Sequence, residues 1–600
     1  MAERNAPAEI VATAATKAPV ASAAIQRLTD YIKALTGSPP RIRNTLGKTG
    51  TAIVIGDAAL ADKYNVTPPD DSRDESFVIS PLQRDGRTVL IVSGRTDKGI
   101  KQAINFVLRH LFRSADGKVL LDPASFRAAP FIKLRVSHIG GYTRQAFDRT
   151  TGKRLPKGVH ATPEQLDWNY ISRWDPRRLG DYIDMLDFFG YNGIEEPPNL
   201  YAPAENDDST AVARRRIVRE HVERNGMISI AKIDGTLAGG GSGAVPYGAD
   251  SKERYEQYYR EMAESAAPYN DYVLTHWVDA GGWKSTPQHP CNLDVLQELH
   301  MQIDRQFKRV NPRIESLLSL WYLDHPMYQR WLGYRGVETI LNSGKLPREV
   351  GLAMSRTYRP EEAEKITAAG RRAAVWGWYM ADHELLYTMH VHTHAMATYF
   401  HNLPPDAGDK LFAHILDNCQ RETNLYTVYV GAQMMWNPKG DPESYLREAA
   451  RLVYGPKLED PVFRGLKAIA DVRCGPGPCR GCWTPGRTRV MTDAAKPPGS
   501  NDGATEASNG IVTFEQGYRQ ALEADEGLKK LKIDKNYVPP IRFHRPTDVL
   551  LAELKRHVHA VAAYMQFVRD KKEGKVHPTE VPSAPGPFEY YERLRYLQAQ

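Results

Sequence analysis

The feature that most constrains this chain is an alternation of short β-type segments with helical segments from residue 130 onward. Helical segments such as residues 176–189 carry apolar residues at helical spacing and separate the β-type segments. Eight parallel strands with connecting helices over about 310 residues predict an α/β fold built on a closed (β/α)8 TIM barrel. A doubly wound open sheet is the main alternative, but no phosphate-binding glycine fingerprint follows the first strand. The eight predicted strands are residues 131–142, 192–199, 227–235, 271–279, 316–324, 349–356, 373–384 and 425–436.

Segments on both sides of this alternation predict two further domains. Strand-like runs at residues 51–57, 75–82 and 88–94, with helical runs at 24–35 and 94–112, predict a small α/β domain over residues 1–125. The barrel is expected to cover residues 126–445. Residues 446–600 are expected to form a mainly helical region containing a flexible loop rich in Cys, Gly and Pro.

Composition narrows the classes of function. The chain has 600 residues, 42% hydrophobic and 25% charged, and no long apolar stretch that could span a membrane, which is typical of a soluble protein. Its net charge of +7 is scattered, which favours an anionic substrate over nucleic acid. Five cysteines argue against a disulfide scaffold, and the alanine-rich start does not read as an intact signal peptide. Location stays open, with a periplasmic or extracellular site after leader removal favoured over the cytoplasm.

The first catalytic candidate follows the predicted fourth strand, in the sequence DYVLTHWVDAGGWK at residues 271–284. Two glycines end the strand just after Asp279, which shares one side with Thr275 and Trp277 by strand alternation. A carboxylate beside tryptophan at a strand's carboxyl-terminal tip is typical of sugar-cleaving barrels. The alternative is an ordinary aspartate in a surface turn. We expect three neighbouring side chains, in addition to Trp277, to bind substrate: His276, Trp283 and Lys284.

The seventh predicted strand offers the second carboxylate. Trp376, Trp378, Asp382 and Glu384 fall on one face at period two. Sugar rings stack on aromatic side chains while their hydroxyls need acceptors, so we predict Asp382 or Glu384 as base or nucleophile and the tryptophans as sugar walls. The alternative is a buried aromatic strand followed by solvated acids.

Other side chains at predicted strand ends are expected to bind substrate, because TIM-barrel active sites form at that rim. Arginine and lysine there would pair with a carboxylate or sulfate, which favours a uronic acid. Glu195 and Glu196 are adjacent and point in opposite directions, so only one lines the pocket. The alternative is that these are ordinary rim residues. The further substrate-binding set is Arg135, His138, Glu195, Glu196, Lys232, Asp324, Arg356, His392 and Trp436.

Two clusters raise the question of a metal. His390, His392, His394 and His401 lie close together in sequence, but no HExxH pattern accompanies them, and packing or sugar binding is the alternative. Cys474, Cys479 and Cys482 lack a nearby fourth ligand, which favours a disulfide or free thiols over zinc. We predict neither a metal nor a cofactor.

At the barrel start the order of residues resembles a known family. LRVSH, a long loop and WDPRRLGDYIDMLDFFGYNGIEEPPN resemble the opening of the α-glucuronidase barrel. PYNDYVLTHWVDAGGW is similar to the strand that carries that family's general acid, with Asp279 where the family has glutamate. Residues 94–112 resemble the end of the non-catalytic domain of hexosaminidases, and LYTVYVGAQMMWNP resembles the last strand of these and hyaluronidase-like enzymes. The resemblance covers residues up to 455.

The residues and the resemblance together predict a glycoside hydrolase acting on an oligo- or polysaccharide, at a uronic sugar, by two-carboxylate catalysis. One alternative is a hexosaminidase-like enzyme in which Asp279 orients the substrate's own acetamido nucleophile. Others are a polysaccharide lyase using Tyr142, His138 and Arg135, or a non-catalytic carbohydrate-binding barrel. We expect no nucleic-acid or membrane partner, and a homodimer is left open.

Overall fold

The structure is a computed structural model, and the statements that follow concern the residues it describes. These are 9–47, 51–68, 73–84, 86–113, 119–121, 125–139, 174–196, 208–236, 245–276, 283, 285–321, 323, 333–377, 391–416, 425–473 and 514–575.

Eight parallel strands form a closed barrel, which confirms the predicted TIM barrel. Each strand pairs with the next in sequence, and the last pairs with the first through Ala413 opposite Leu134. Alternate residues fill the interior with Leu134, Val136, Ile230, Leu274 and Leu317. The strands are Leu134–His138, Gly193–Glu196, Ile228–Asp234, Tyr272–His276, Glu315–Ser319, Gly351–Arg356, Ala373–Gly377 and Leu411–Leu416.

The eighth strand is not the one predicted. Residues 425–436, expected as that strand, form the helix Leu425–Trp436, and Leu411–Leu416 closes the barrel instead. Nearly all of this helix is buried, so its apolar residues show no helical periodicity and the segment looks like a buried strand. Its length of 12 residues is the remaining signal for a helix.

Helices surround the barrel in the usual order. The predicted helix at residues 176–189 is confirmed, with its inward side chains buried. The helices of this layer are Pro176–Phe189, Asp208–Arg224, Lys252–Ala266, Leu293–Val310, Val337–Leu341, Pro360–Ala368, Thr393–His401, Ala407–Lys410 and Leu425–Trp436, with the 3-10 turn Ala267–Tyr269.

The amino-terminal unit is a mixed six-stranded sheet with helices Pro19–Thr36, Ala58–Lys63 and Asp97–His110 and the 3-10 turn Ala14–Lys17. Its strands lie in the order Arg41–Arg43, Glu9–Ala12, Ala52–Gly56, Arg87–Gly94, Phe77–Arg84 and Phe126–Ala128. Glu9–Ala12 lies inside the alanine-rich start and was not predicted as a strand. A separate hairpin pairs Leu111–Arg113 with Val119–Leu121.

The carboxyl-terminal part of the described chain is helical, as predicted. It comprises Pro442–Tyr454, Glu459–Arg473, Phe514–Lys529 and Thr547–Lys572. Gly455 ends the first of these with φ +84°, a conformation that favours glycine. In the described residues no helix is both long and apolar enough to cross a membrane.

Buried ion pairs join the amino-terminal unit to the amino-terminal end of the barrel. Asp187, at the end of a barrel helix, is fully buried and pairs with Lys101 at 2.5 Å and Arg27 at 3.1 Å. Arg135 on the first barrel strand pairs with Glu75. Because a buried charge without a partner is costly, these pairs specify how the two units dock.

Arg135 is therefore not a substrate-binding residue at the rim. It points away from the barrel interior, opposite to Leu134 and Val136. Its guanidinium donates to the carbonyl oxygens of Ile132 at 2.8 Å and Gly190 at 2.7 Å and lies 4.7 Å from the Trp436 ring. Trp436 belongs to the same end, where its indole N–H donates to Gly190 O at 3.1 Å. Both predictions are wrong because these residues lie at the opposite end from the strand carboxyl termini.

We predict that Glu75→Ala lowers the free energy of unfolding by about 3–5 kcal/mol, because it leaves the Arg135 guanidinium buried without its counter-charge. The matched control is Glu264→Ala, which removes an exposed pair with Arg309 and should cost about 0–1 kcal/mol. Urea unfolding followed by fluorescence measures both. Equal losses in the two variants would contradict the role given to this interface.

Candidate active site at the carboxyl ends of the barrel strands

Charged and aromatic side chains meet inside the barrel at the carboxyl ends of its strands. Glu195 pairs in register with His138 on one side and with Ile230 on the other, and Lys232 pairs with Leu274. Ile230 and Leu274 face the barrel interior, so Glu195, His138 and Lys232 face it too. Because alternate residues of a strand share a face, these polar side chains follow the apolar interior layers directly. The group, called the central cluster below, consists of His138, Glu195, Lys232, His276, Ser319, Trp321 and Trp376.

Glu195 is the carboxylate at the middle of the central cluster and is fully buried. The indole N–H of Trp376 donates to its Oε2 at 2.8 Å, and Nδ1 of His138 lies 3.4 Å from its Oε1. Burial alone would raise the pKa of Glu195, but His138, Lys232 and the indole hydrogen bond together hold that pKa below its ordinary value. Glu195 is therefore a buried carboxylate held ionised at neutral pH.

Lys232 and His276 complete the polar part of the cluster. The ammonium of Lys232 lies 4.7 Å from the centre of the Trp376 ring, a cation–π arrangement. Nδ1 of His276 lies 3.1 Å from Ser319 Oγ, and its Nε2 has no hydrogen-bond partner among the described residues. Burial, with Lys232 and His138 nearby, lowers the pKa of His276 well below 6.5, so the ring is neutral. A neutral imidazole with one nitrogen left over suits hydrogen bonding to a hydroxyl group.

Two tryptophans form the apolar wall of the cluster. The rings of Trp321 and Trp376 meet edge to face, with centroids 4.8 Å apart, and His276 packs against both at 5.6 and 4.7 Å. Trp321 was missed as a candidate. The signal was available, because Leu317, Ser319 and Trp321 follow one another at period two on the inward face.

The fourth strand differs from its predicted facing. Its inward residue at the carboxyl end is His276, while the hydroxyl of Thr275 points outward and lies 2.8 Å from Nδ1 of His300 on a helix. Asp279 was expected on the same side as Thr275, and that side faces outward along the strand Tyr272–His276. The alternation of side chains within this strand does not define the direction of Asp279, which lies beyond it in sequence.

Two more predicted binders have structural contacts. Glu196 points outward, where its Oε1 accepts a hydrogen bond from Asn270 at 3.2 Å, so Glu195 is the member of the pair that faces the interior. Trp283 is buried in the core, and its indole N–H donates to His289 O at 2.9 Å. Both residues stabilise the packing around the barrel, and neither is available for substrate.

Several candidates lie outside the described residues. These are the three predicted catalytic carboxylates Asp279, Asp382 and Glu384 and the predicted substrate binders Trp277, Lys284, Asp324 and Trp378. Arg356 ends the sixth strand, but its side chain is likewise outside the described part. His392 is buried just before the helix Thr393–His401, and burial lowers its pKa to about 4.

Among the described residues, no three His, Cys, Asp or Glu side chains come close enough together to bind a metal ion. His394 pairs with Asp471 at 2.8 Å and His401 contacts Gly440 O at 2.9 Å, while His390 lies outside the described residues. Cys291 is buried in the core. The remaining cysteines, Cys419, Cys474, Cys479 and Cys482, are not among the described residues.

Solved structures share this architecture. A family GH138 enzyme targeting pectin rhamnogalacturonan II aligns over 93% of this chain and 69% of its own, with a TM-score of 0.55 and 12% identity. A family GH115 4-O-methyl-α-glucuronidase with specificity for decorated arabinogalactans aligns over 99% of this chain and 75% of its own, with a TM-score of 0.53 and 12% identity. The resemblance in fold to such TIM-barrel glycoside hydrolases is thereby confirmed. No protein-family model and no curated protein sequence matches the chain.

Buried neutral histidines should make the stability depend on pH. Burial lowers the pKa of His414 from 6.5 to about 3, so the unfolded chain binds a proton that the folded chain does not. Stability from this group is complete above pH 6.5 and is lost as the pH falls toward 3. We predict that His414→Gln lowers the slope of unfolding free energy against pH, between pH 6 and 5, by about 1.4 kcal/mol per pH unit.

Urea unfolding at a series of pH values measures this slope. The control is His401→Gln, at an exposed position whose ring contacts a backbone carbonyl. An unchanged slope in His414→Gln would show that the histidine is protonated in the folded protein.

Proposed function

We propose that this protein is a glycoside hydrolase that cleaves a glycosidic bond at an acidic sugar of an oligo- or polysaccharide. The observation that carries the proposal is the central cluster, in which an ionised carboxylate, a lysine, a neutral histidine and two tryptophans meet where TIM-barrel active sites are built. Aromatic rings and hydrogen-bonding groups side by side are what a pyranose needs. The two similar structures that belong to glycoside hydrolase families add support.

The catalytic pair we propose consists of Asp279 as general acid and Asp382 or Glu384 as base or nucleophile. Their place in the sequence supports this choice. Asp279 follows His276, a residue of the central cluster at the end of the fourth strand, by three residues. Asp382 follows Trp376, another residue of the cluster, by six residues. In TIM-barrel enzymes the segments that follow the strands in sequence supply the active site.

Within this proposal the central cluster binds the sugar. Glu195 and the free nitrogen of His276 suit hydroxyl groups, and the tryptophans suit the apolar face of the ring. Because Glu195 is ionised and held by three partners, it is a poor proton donor, which leaves the general-acid role to a carboxylate beyond the strand ends.

We predict that Asp279→Asn abolishes hydrolysis, lowering kcat by at least about a hundredfold, while the circular dichroism spectrum and melting temperature stay unchanged. Asp294→Asn is the matched control, because Asp294 lies in the first turn of an outer helix and pairs at 2.8 Å with Lys345 on the surface. The assay is release of reducing sugar from a panel of uronic-acid and N-acetylated glycosides. Turnover by Asp279→Asn at the rate of the unchanged protein would refute the assignment.

The same panel separates the two hydrolytic mechanisms. Loss of activity in Asp382→Asn or in Glu384→Gln, and in the double variant, supports two-carboxylate catalysis. Full activity of the double variant on N-acetylated glycosides alone would instead support a mechanism in which the substrate's acetamido group is the nucleophile.

An acidic sugar is favoured by the position of Lys232. This lysine is buried at the carboxyl end of the third strand, beside the wall formed by Trp376. An ammonium group in a low-dielectric site interacts strongly with an anion, so a substrate carboxylate that reaches it is recognised. The similar GH115 structure is described as an α-glucuronidase, which agrees with this choice.

We predict that Lys232→Met lowers kcat/KM for a uronide by about tenfold to a hundredfold, because a charge-assisted hydrogen bond contributes about 1.5–3 kcal/mol. The uncharged glycoside of the same linkage should lose much less. Lys232→Arg restores a cation and should recover part of the uronide activity. Equal losses on charged and uncharged substrates would show that Lys232 acts only by supporting Glu195.

A further inference from the structure

A cavity lies apart from the central cluster, between the first barrel helix Pro176–Phe189 and residues 539–548, which lead into the last helix. Its volume is about 590 Å³, large enough for one or two sugar units. In a TIM barrel each helix starts at the carboxyl end of the strands, and the cavity touches the start of this helix. It therefore touches this helix near the carboxyl ends of the barrel strands.

His544 in the wall of this cavity is a buried polar side chain that makes no hydrogen bond to the described residues. It is 4% exposed, and neither ring nitrogen has a hydrogen-bond partner among the described residues. Its ring stacks on Trp174, with 5.5 Å between centroids and 15° between planes, and Tyr182 packs against it edge-on. Packing fixes the ring, but it does not satisfy two nitrogens that could hydrogen-bond, and such groups are rare without a function.

The cavity wall is rich in arginine. Arg177 and Arg178 come from the start of the barrel helix, and Arg542 and Arg545 from the opposite side. Burial, with Arg178 and Arg545 nearby, lowers the pKa of His544 well below 6.5, as expected for an imidazole in a cationic setting. An anion in the cavity would reverse that effect.

Three carboxylates also line the cavity, those of Asp175, Asp181 and Asp548. Asp175 caps the helix by accepting from Arg178 N at 3.0 Å, and Asp181 pairs with Arg542 at 2.9 Å. Partial burial raises the pKa of Asp181 to about 6, against the opposing effect of Arg177. These acids therefore offset the arginines only in part, and the helix start adds its own positive end.

From the unpartnered His544 and the arginine-rich wall of this cavity, we propose that it binds an oxyanion of an acidic saccharide, a carboxylate or a sulfate ester, at a subsite separate from the barrel centre. Arginine presents a planar fork of N–H donors that matches either group. The proposal rests on the proposed function in taking a saccharide as the carrier of the anion. Binding itself does not require hydrolysis.

The experiment is isothermal titration calorimetry on the full chain with three probes, namely a galacturonate oligosaccharide, the neutral galactose oligosaccharide of equal length, and inorganic sulfate. The variants are His544→Phe, which keeps the ring stacked on Trp174 but removes both nitrogens, and Arg542→Gln, which removes a cation at the half-exposed rim. Arg447→Gln is the control, since it removes a comparable arginine that pairs at 3.1 Å with Asp460 on another helix. Lys232→Met marks binding at the barrel centre.

We expect the unchanged protein to bind the acidic oligosaccharide at a site that Lys232→Met retains and that His544→Phe weakens at least about tenfold. Arg542→Gln should weaken it in the same direction, which keeps the test valid if His544→Phe fails to fold, and Arg447→Gln should have no effect. Equal binding by the unchanged protein, His544→Phe and Arg542→Gln would overturn the proposal. Equal affinity for the neutral oligosaccharide, or binding of sulfate without the oligosaccharide, would overturn the assignment to an acidic saccharide. If Lys232→Met and Asp279→Asn left hydrolysis unchanged, the proposed function would be refuted, whereas the proposal for this cavity would not be.

Discussion

The structure depends on buried ion pairs between the amino-terminal unit and the barrel. Asp187 has no exposed surface and faces two cations from the other unit, Lys101 and Arg27. Removing charges from water costs several kcal/mol per ion, and the cost is recovered only when partners meet in good geometry. These pairs favour the docked arrangement, in which the amino-terminal unit contacts the amino-terminal end of the barrel.

The central cluster follows the same physical rule at the other end. Glu195 is ionised inside the protein because an indole N–H, an imidazole and an ammonium group surround it. A buried carboxylate with fewer partners would take up a proton instead. At the docking interface the ion pairs are closed by protein groups on all sides. In the central cluster, by contrast, Nε2 of His276 has no partner among the described residues, and a polar nitrogen of that kind is what a ligand can satisfy.

The barrel was predictable because strand and helix alternate clearly, and the first seven strands lie where their apolar runs predict. The eighth was not, because the helix Leu425–Trp436 is buried on nearly all sides, and burial on all sides removes the periodicity that distinguishes a helix from a strand. Leu411–Leu416, which closes the barrel, was not predicted as a strand. The secondary structure of both segments is determined by their burial in the fold rather than by local propensity.

The direction in which a strand residue faces could be predicted from the sequence only in part. Residues an odd number apart on a strand face opposite ways, so Arg135 and His138 could not both line the interior, and the structure has His138 inside. Trp321 follows from the same rule. His544 does not, since its burial against Trp174 arises from two segments that are far apart in sequence. Alternation within a strand is readable from sequence, whereas contacts between distant segments require the fold.

The indole of Trp376 connects the electrostatics of the cluster to its proposed role. Its N–H donates a hydrogen bond to Glu195, and the ammonium group of Lys232 lies over its face. These contacts fix the plane of the ring before a ligand binds. A side chain that is already ordered loses less conformational entropy when a ligand binds beside it than a mobile one does. Because Trp376, Glu195 and Lys232 all lie on barrel strands, this arrangement is as rigid as the barrel itself. The buried charges that make the cluster costly to fold are thus what orient its aromatic surface.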